Sequence, residues 1–227
     1  MKRYGQILLF LLVVIATSAL STGLAAQRIC DGDAAVTTTF AVAFHVATRD
    51  EPRTLAHIEA ILSEANRQFA GAGIEFRMSQ QRMLAESFQV METIRERHQV
   101  KPGLVDRVIN VVVVDEIQDP TPSKATRKAA AAQGRKPSGR LAGAHIPAPR
   151  KKPDTYILLA SNGKPDTLAH ELGHFFGLPH HRDPQNVMSY GRDRKSFNEH
   201  QLAVIRKKAR LIQRRHIVNF TNRCTDR

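Results

Sequence analysis

Residues 170–180 place three histidines, a glutamate and Gly177 at the fixed positions of the pattern H-E-x-x-H-x-x-G-x-x-H. Residues four positions apart on an α-helix lie on the same face, so His170 and His174 are predicted to point at one metal ion. Glu171 lies at the side of that face, where it can hydrogen-bond a water molecule but cannot easily be a ligand. The spacing therefore predicts a helix that carries both ligands and a catalytic carboxylate.

The helix is predicted to end near Gly177, where glycine can adopt a left-handed turn at little steric cost. Pro179 prevents the helix from continuing. The chain can then turn back so that His180 supplies the third ligand from outside the helix. His181 follows directly, and the spacing favours His180 as the ligand and His181 as a loop residue.

Three neutral imidazoles bind Zn²⁺ and leave its fourth tetrahedral position open to water, whereas structural zinc sites fill all four positions with protein ligands. We therefore expect one catalytic Zn²⁺, held by His170, His174 and His180. Glu171 is expected to act as the general base and then the general acid. This is the chemistry of peptide-bond hydrolysis without a covalent intermediate, which predicts a zinc endopeptidase acting on a protein or peptide.

The extended motif resembles that of the metzincin clan of zinc metalloproteases, and a second match follows it at Asn186-Val187-Met188-Ser189-Tyr190. The resemblance implies that Met188 is the Met-turn residue beneath the metal and that Tyr190 can stabilise the transition state. Within the clan, the chain is most similar to the pappalysin and archaemetzincin groups. The cysteine-rich zinc site that follows the motif in archaemetzincins has no counterpart here.

The resemblance also implies an α/β (α+β) zincin-like fold with an active-site helix, a C-terminal helix and an antiparallel edge strand. The order of strands and helices along the chain independently predicts a mixed, mostly parallel twisted sheet. The run of residues at 108–114, β-branched except for Asn110, indicates a strand buried on both faces. The other strands are expected at 37–47, 74–78 and 156–160.

The predicted helices begin and end at recognisable residues. The first runs from Pro52 to the glycine-containing stretch 71–73, with an apolar stripe on one face. Residues 87–98 are ambiguous and could contain a short helix. Asp166 is expected to cap the motif helix. The stretch Ser196-Phe197-Asn198-Glu199 matches a capping box, and the helix after it is expected to end near Arg214.

Residues 141–146 resemble the short edge strand that forms the upper rim of a metzincin cleft. An extended substrate could pair with this edge through backbone hydrogen bonds. Gly143, Ala144 and His145 are therefore the expected substrate-binding residues, and His145 is expected to be a rim residue rather than a ligand or an acid.

Residues 1–26 have the pattern of a secretory signal: Lys2 and Arg3, then an apolar run, then small residues. This predicts a secreted or periplasmic protein in which residues 27–227 form a single catalytic domain, without a stable membrane span after cleavage. Cys30 and Cys224 are the only two cysteines, and in an oxidising compartment they are expected to form a disulfide. An alternative is that Cys30 covers the zinc.

The chain carries a formal net charge of +13. A basic surface loop is predicted at about 117–140, and residues 120–153 contain nine Lys or Arg and no Asp or Glu. Such a surface favours anionic partners, including glycans. Nucleic acid is not expected, because no nucleic-acid-binding motif is present, and a monomer is expected. A second basic group comprises Arg206, Lys207, Lys208, Arg210, Arg214 and Arg215.

Two other functions are compatible with the sequence. The chain could be a non-catalytic zinc-binding module that adheres to anionic surfaces through the basic loop. It could also be a zinc amidase acting on an amide that is not part of a protein. Neither alternative accounts for the methionine turn as well as the peptidase does.

Overall fold

A six-stranded mixed sheet forms the centre of the protein. The computed structural model describes residues 35–119, 139–147, 155–191 and 193–225, together with residues 128, 131 and 132. The strands in these ranges are β1 (Ala35–Ala47), β2 (Ile74–Met83), β3 (Val90–Met91), β4 (Ile109–Val114), β5 (Glu116–Asp119), β6 (Gly139–Leu141), β7 (Gly143–Ile146), β8 (Tyr156–Ala160) and β9 (Phe220–Thr225).

Helices accompany these strands in the continuous described ranges. They are α1 (Glu51–Phe69), α2 (Ile94–Gln99), α3 (Thr167–Phe175) and α4 (Glu199–Arg214). Short 3₁₀ turns lie at Ala70–Ala72, Glu86–Phe88 and Lys101–Gly103. The short helix expected within the ambiguous stretch 87–98 is α2, which begins and ends further along the chain.

The main sheet has the strand order β2-β1-β4-β8-β7, and the first four of these strands are parallel. β7 is antiparallel to β8 and forms the edge, as expected for a cleft rim. β9 pairs antiparallel with the first half of β1, and β4 pairs with the second half. The predicted fold class, a mostly parallel mixed sheet with an antiparallel edge strand, is therefore confirmed.

Both faces of the central strand β4 are buried, as its run of valines predicts. Val111 and Val113 belong to a core cluster that includes residues of α1, α3 and α4. Val112 and Val114 belong to a second cluster on the opposite face. The two clusters alternate along the strand because successive side chains point to opposite faces. The motif helix α3 is thus packed directly on the sheet.

The C-terminal helix α4 begins with a capping box two residues later than the sequence suggested. Asn198 accepts a hydrogen bond from the backbone N–H of Gln201, and the Gln201 side chain accepts one from the backbone N–H of Asn198. Ser196 does not act as the cap, because its carbonyl accepts a hydrogen bond from the backbone N–H of Val187. A contact distant in sequence therefore moves the start of the helix.

A second, three-stranded sheet was not expected from the sequence. It has the order β3-β5-β6, with β5 and β6 antiparallel. β5 and β6 form the two ends of the segment 117–140 that was predicted to be a basic loop. Apart from residues 128, 131 and 132, the interior of that loop lies outside the described residues.

The predicted signal segment and Cys30 also lie outside the described residues. Cys224 lies in β9, where its backbone is opposite Val36 of β1. No disulfide is found within the described part of the chain, so the pairing of Cys30 with Cys224 stays a prediction. Among the described helices, none has the length and apolar character that a membrane span requires.

Candidate active site

The motif helix α3 ends as the sequence predicts. Gly177 adopts a left-handed conformation with a φ of 90°. The backbone N–H of Leu178 donates to the carbonyl of Gly173 over 2.9 Å, and that of Gly177 donates to the carbonyl of His174. These bonds satisfy carbonyls that the helix end would otherwise leave without partners. The chain then turns back and brings His180 towards the helix.

Three imidazoles meet at this turn. Ligand atoms of His170, His174 and His180 all lie within 4.8 Å of one another. The Nε2 atoms of His174 and His180 are 3.1 Å apart. Two nitrogens bound to zinc at about 2.0–2.1 Å in tetrahedral geometry are separated by roughly 3.3–3.4 Å. The observed spacing therefore fits a single zinc ion. Among the described residues, no other group of three potential ligands is found.

Hydrogen bonds to the other ring nitrogens hold the imidazoles in place. Nδ1 of His170 donates to the carbonyl of Val187 over 2.7 Å, and Nδ1 of His174 donates to the carbonyl of Leu178 over 2.9 Å. A carbonyl oxygen can only accept, so both Nδ1 atoms carry the proton. The lone pairs of the Nε2 atoms are then free for a metal.

The protonation of the histidines also suits metal binding. Burial lowers the pKa of His170 to about 4, against the opposing hydrogen bond to Val187. Burial also lowers the pKa of His180, helped by the neighbouring His174. His170 is therefore neutral near pH 7, which is the form that binds a metal.

Glu171 is enclosed between the motif helix and the edge strand β7. The residue is only 6% exposed. Burial raises the pKa of its carboxyl group to about 7, while the backbone hydrogen bond from His145 and the charge of Arg194 act in the opposite direction. A Cβ atom on Gly143 would lie 3.0 Å from Oε1 of Glu171. The absence of a side chain at Gly143 therefore makes room for the carboxylate.

Met188 is fully buried against the motif helix. Its Sδ atom would clash with a Cβ atom on Gly173, and Cε would be 3.1 Å from that Cβ. The backbone N–H of Met188 donates to Oδ1 of Asn186 over 2.9 Å. The amide group of Asn186 exchanges two hydrogen bonds with that of Gln201, which is in α4. The turn is thereby fixed to both helices.

We call the segment formed by residues 185–191 and 193–196 the methionine loop. Its far end is joined to the start of the motif helix by an ion pair between Arg194 and Asp166. The two side chains form parallel hydrogen bonds of 2.7 Å each and are only 10% and 11% exposed. The prediction that the Asp166 side chain caps the helix is therefore wrong, because its carboxylate pairs with Arg194 and makes no cap hydrogen bond.

Tyr190 lies at the mouth of the cleft beside the third histidine. Its hydroxyl group is 3.0 Å from Nδ1 of His180, and the two ring centroids are 4.3 Å apart. The side chain is 82% exposed. Tyr190 is thus in contact with the third histidine of the motif and still accessible to a substrate.

His145 is a half-buried rim residue. Its Nε2 atom lies 3.0 Å from Oγ1 of Thr155, which itself donates to the carbonyl of Ile146. The imidazole therefore donates from Nε2. Burial, with a smaller contribution from His174, lowers the pKa of His145 to about 4, so the ring is neutral near pH 7. The three-histidine cluster found in the described residues does not include His145.

A cleft of about 610 Å³ joins these residues. The edge strand β7 forms one side, and the end of the motif helix with Tyr190 forms the other. All three predicted substrate-binding residues line this cleft, as do the three histidines and the glutamate of the motif. The β7 residues are Gly143, Ala144 and His145.

Sequence reasoning missed several residues that support the site. Gly173 had a visible signal, because a glycine in the middle of a helix is unfavourable unless something packs closely against it. Arg194 and the pairing of Asn186 with Gln201 had none, because a polar residue in a loop does not reveal its partner. Each of these contacts joins residues at least 15 positions apart.

The fold of this chain is similar to the folds of other proteins of known structure, at low sequence identity. The archaemetzincin of Methanopyrus kandleri is similar over 76% of this chain and 96% of its own, with a TM-score of 0.52 and 15% identity. Metalloproteinase-II of Bacteroides fragilis is similar over 80% of this chain and 56% of its own, with a TM-score of 0.50 and 12% identity. No protein-family model matches the chain, and no curated protein matches it in sequence.

Proposed function

We propose that this protein is a zinc-dependent endopeptidase of the metzincin type that hydrolyses peptide bonds. The observation that carries the proposal is the convergence of His170, His174 and His180 next to the buried carboxylate of Glu171 in one cleft. The likeness to the fold of an archaemetzincin supports it. A purely structural metal site would have no use for an additional carboxyl group with a raised pKa beside three ligands.

The three histidines would hold one zinc ion through their Nε2 atoms. When bound, zinc supplies a Lewis acid that polarises a carbonyl group and makes a nearby water molecule more acidic. Glu171 accepts a proton at its carboxylate and passes it to the leaving amine. Its pKa of about 7 lies close to neutral pH, where a group can both accept and donate a proton efficiently.

The edge strand β7 would hold the substrate. It is hydrogen-bonded to β8 on one side and borders the cleft with its other side. An extended peptide could pair with that side through its backbone, and such pairing does not require a chain terminus. The exposed hydroxyl group of Tyr190 would donate to the oxygen on which negative charge develops.

The place of action is a further part of the proposal. The sequence pattern of residues 1–26 supports export, after which residues 27–227 would act as a secreted or periplasmic enzyme. The surplus of basic residues would favour binding of the protein to anionic surfaces or glycans.

The test is cleavage of a diverse peptide library by the purified protein. We expect cleavage by the wild type, loss with a zinc chelator, and recovery when Zn²⁺ is restored. E171A should keep the metal and lose at least about 10²-fold in kcat, since general acid–base catalysis contributes about 10²–10⁴-fold. H180A should lose the metal.

H181A is the matched control, because His181 is adjacent to His180 but is not part of the ligand cluster. It should retain both zinc and activity. Full activity in E171A would contradict the mechanism. Zinc binding with no cleavage of any peptide would contradict the peptidase assignment, and hydrolysis of cell-wall fragments alone would indicate the amidase.

A further inference from the structure

The ion pair between Asp166 and Arg194 connects the start of the motif helix to the methionine loop. Asp166 directly precedes the motif helix, and Arg194 is near the far end of the methionine loop. The guanidinium group donates from Nε and from one terminal nitrogen to the two carboxylate oxygens, and both distances are 2.7 Å. Such a bidentate pair fixes orientation as well as distance.

Two further contacts join the same loop to the same helix. The carbonyl of Val187 accepts the hydrogen bond from Nδ1 of His170. One residue later, Met188 packs against Gly173. Together with the ion pair, these contacts hold the loop at three successive points along the helix, at positions 166, 170 and 173.

The arm of the loop that carries Arg194 is bonded to the arm that carries Val187. The backbone N–H of Val187 donates to the carbonyl of Ser196 over 3.1 Å, and that of Lys195 donates to the carbonyl of Gln185 over 2.7 Å. A shift of Arg194 would therefore be transmitted to the carbonyl that orients the imidazole of His170. That carbonyl is the hydrogen-bond partner of Nδ1 of His170.

The burial of the pair argues for a role other than stability. Removing two charges from water costs about as much free energy as their attraction returns, and replacing such a pair with apolar residues is often neutral or stabilising. Partners that orient a metal ligand, in contrast, have measurable effects on metal affinity.

We propose that Asp166 and Arg194 are a positioning pair that holds the methionine loop against the motif helix and thereby orients His170 for zinc. This proposal depends on the proposed function for one point only, namely that the metal bound by the histidines is zinc. It assigns neither residue a contact with the substrate.

The experiment measures the dissociation constant of Zn²⁺ by competition with a chromogenic chelator, for D166N, R194M, R194K and the wild type. We expect D166N and R194M to raise the dissociation constant about 10–100-fold. R194K keeps the charge but cannot form both hydrogen bonds, so its value should lie in between. Thermal unfolding of each metal-free protein shows whether the variant is folded.

The matched control is R67K. Arg67 forms the same kind of bidentate pair with Glu64, at 2.8 and 2.6 Å, but on the surface of α1 and with a largely exposed guanidinium group. Its zinc dissociation constant should stay within twofold of the wild-type value. Wild-type affinity in folded D166N and R194M would overturn the positioning role. Wild-type affinity in R194K would overturn it too, because charge alone would then suffice.

Zinc affinity and peptide cleavage separate the two proposals. If the wild type binds zinc but cleaves nothing, the peptidase assignment fails, and the dissociation constants still decide the role of the pair. If cleavage is confirmed and the pair acts as proposed, D166N at saturating Zn²⁺ should lower kcat and leave KM nearly unchanged, because neither Asp166 nor Arg194 lines the cleft. An equal zinc affinity across the variants would refute only the positioning role.

Discussion

Met188 occupies the space that a side chain at Gly173 would require. The Sδ atom of the methionine overlaps the position of a Cβ at residue 173, and a ring carbon of Phe197 lies 3.5 Å from the same point. Gly173 is one of the two variable positions between the motif glutamate and the second histidine. The helix and the methionine turn therefore fit together at the one helical residue without a side chain.

The first prediction is that G173A destabilises the protein. Alanine favours a helix over glycine by about 0.5–1 kcal/mol, but overpacking of a filled core costs about 1–3 kcal/mol. Because Met188 is fully buried, we expect a net loss in the free energy of unfolding, measured by chemical denaturation. G103A is the control, since nothing lies within 4 Å of a Cβ there, and it should be neutral. A G173A protein as stable as the wild type would show that the turn can move freely.

The second prediction is that G143A impairs catalysis while the metal stays bound. A Cβ at residue 143 would lie 2.9 Å from Cγ2 of Thr167 and 3.0 Å from Oε1 of Glu171. The carboxylate would have to shift, and a small misplacement of a catalytic group can cost about 10²-fold in rate. We expect kcat to fall by about that factor and the zinc content to remain at the wild-type level. An unchanged kcat would mean that Glu171 does not act from its observed position.

The third prediction concerns Y190F. The hydroxyl group of Tyr190 is exposed and lies next to His180, so water can replace it as the partner of Nδ1 and zinc should remain bound. Loss of a donor to a developing oxyanion costs about 10²–10³-fold in kcat. Steady-state kinetics should therefore show a lower kcat with a similar KM. If kcat is unchanged, the hydroxyl group serves only as a partner of His180.

The fourth prediction is a dependence of stability on pH that arises from His45. This residue is buried in β1, with Nε2 2.8 Å from Oδ1 of Asn110. Burial lowers its pKa below the ordinary value of 6.5; the hydrogen bond to Asn110 opposes this, and the charge of Arg82 adds to it. The folded state therefore binds fewer protons than the unfolded state below pH 6.5, and stability must fall as the pH is lowered through that region.

The measurement is the free energy of unfolding of the metal-free protein between about pH 7.5 and 5.5, roughly one unit to either side of the ordinary histidine pKa, for the wild type and H45Q. Glutamine can still bond to Asn110 but does not titrate. The difference between the two proteins should grow towards low pH by at most about 1.4 kcal/mol per pH unit. All other histidines are common to both proteins and cancel. Parallel curves would show that His45 titrates alike in the folded and unfolded states.

Local sequence patterns predicted the elements that carry the site. The spacing of His170 and His174, the glycine at 177 and the valine run of β4 each act through neighbours within a few residues, and all appear in the structure as expected. The starts of the helices were less predictable. Ser196 and Asn198 both fit a capping pattern, and the distant contact with Val187 decided between them.

The sequence by itself determined that three histidines and a glutamate lie together at a helix and the turn after it, because the period of a helix and the conformational freedom of glycine are local properties. Only the tertiary structure decided what holds that group in place. Met188 packs on Gly173, Arg194 pairs with Asp166, and the carboxylate of Glu171 fits against Gly143. These contacts depend on side chains that meet only when the sheet, the helix and the loop have packed together, and no periodicity along the chain encodes such a meeting.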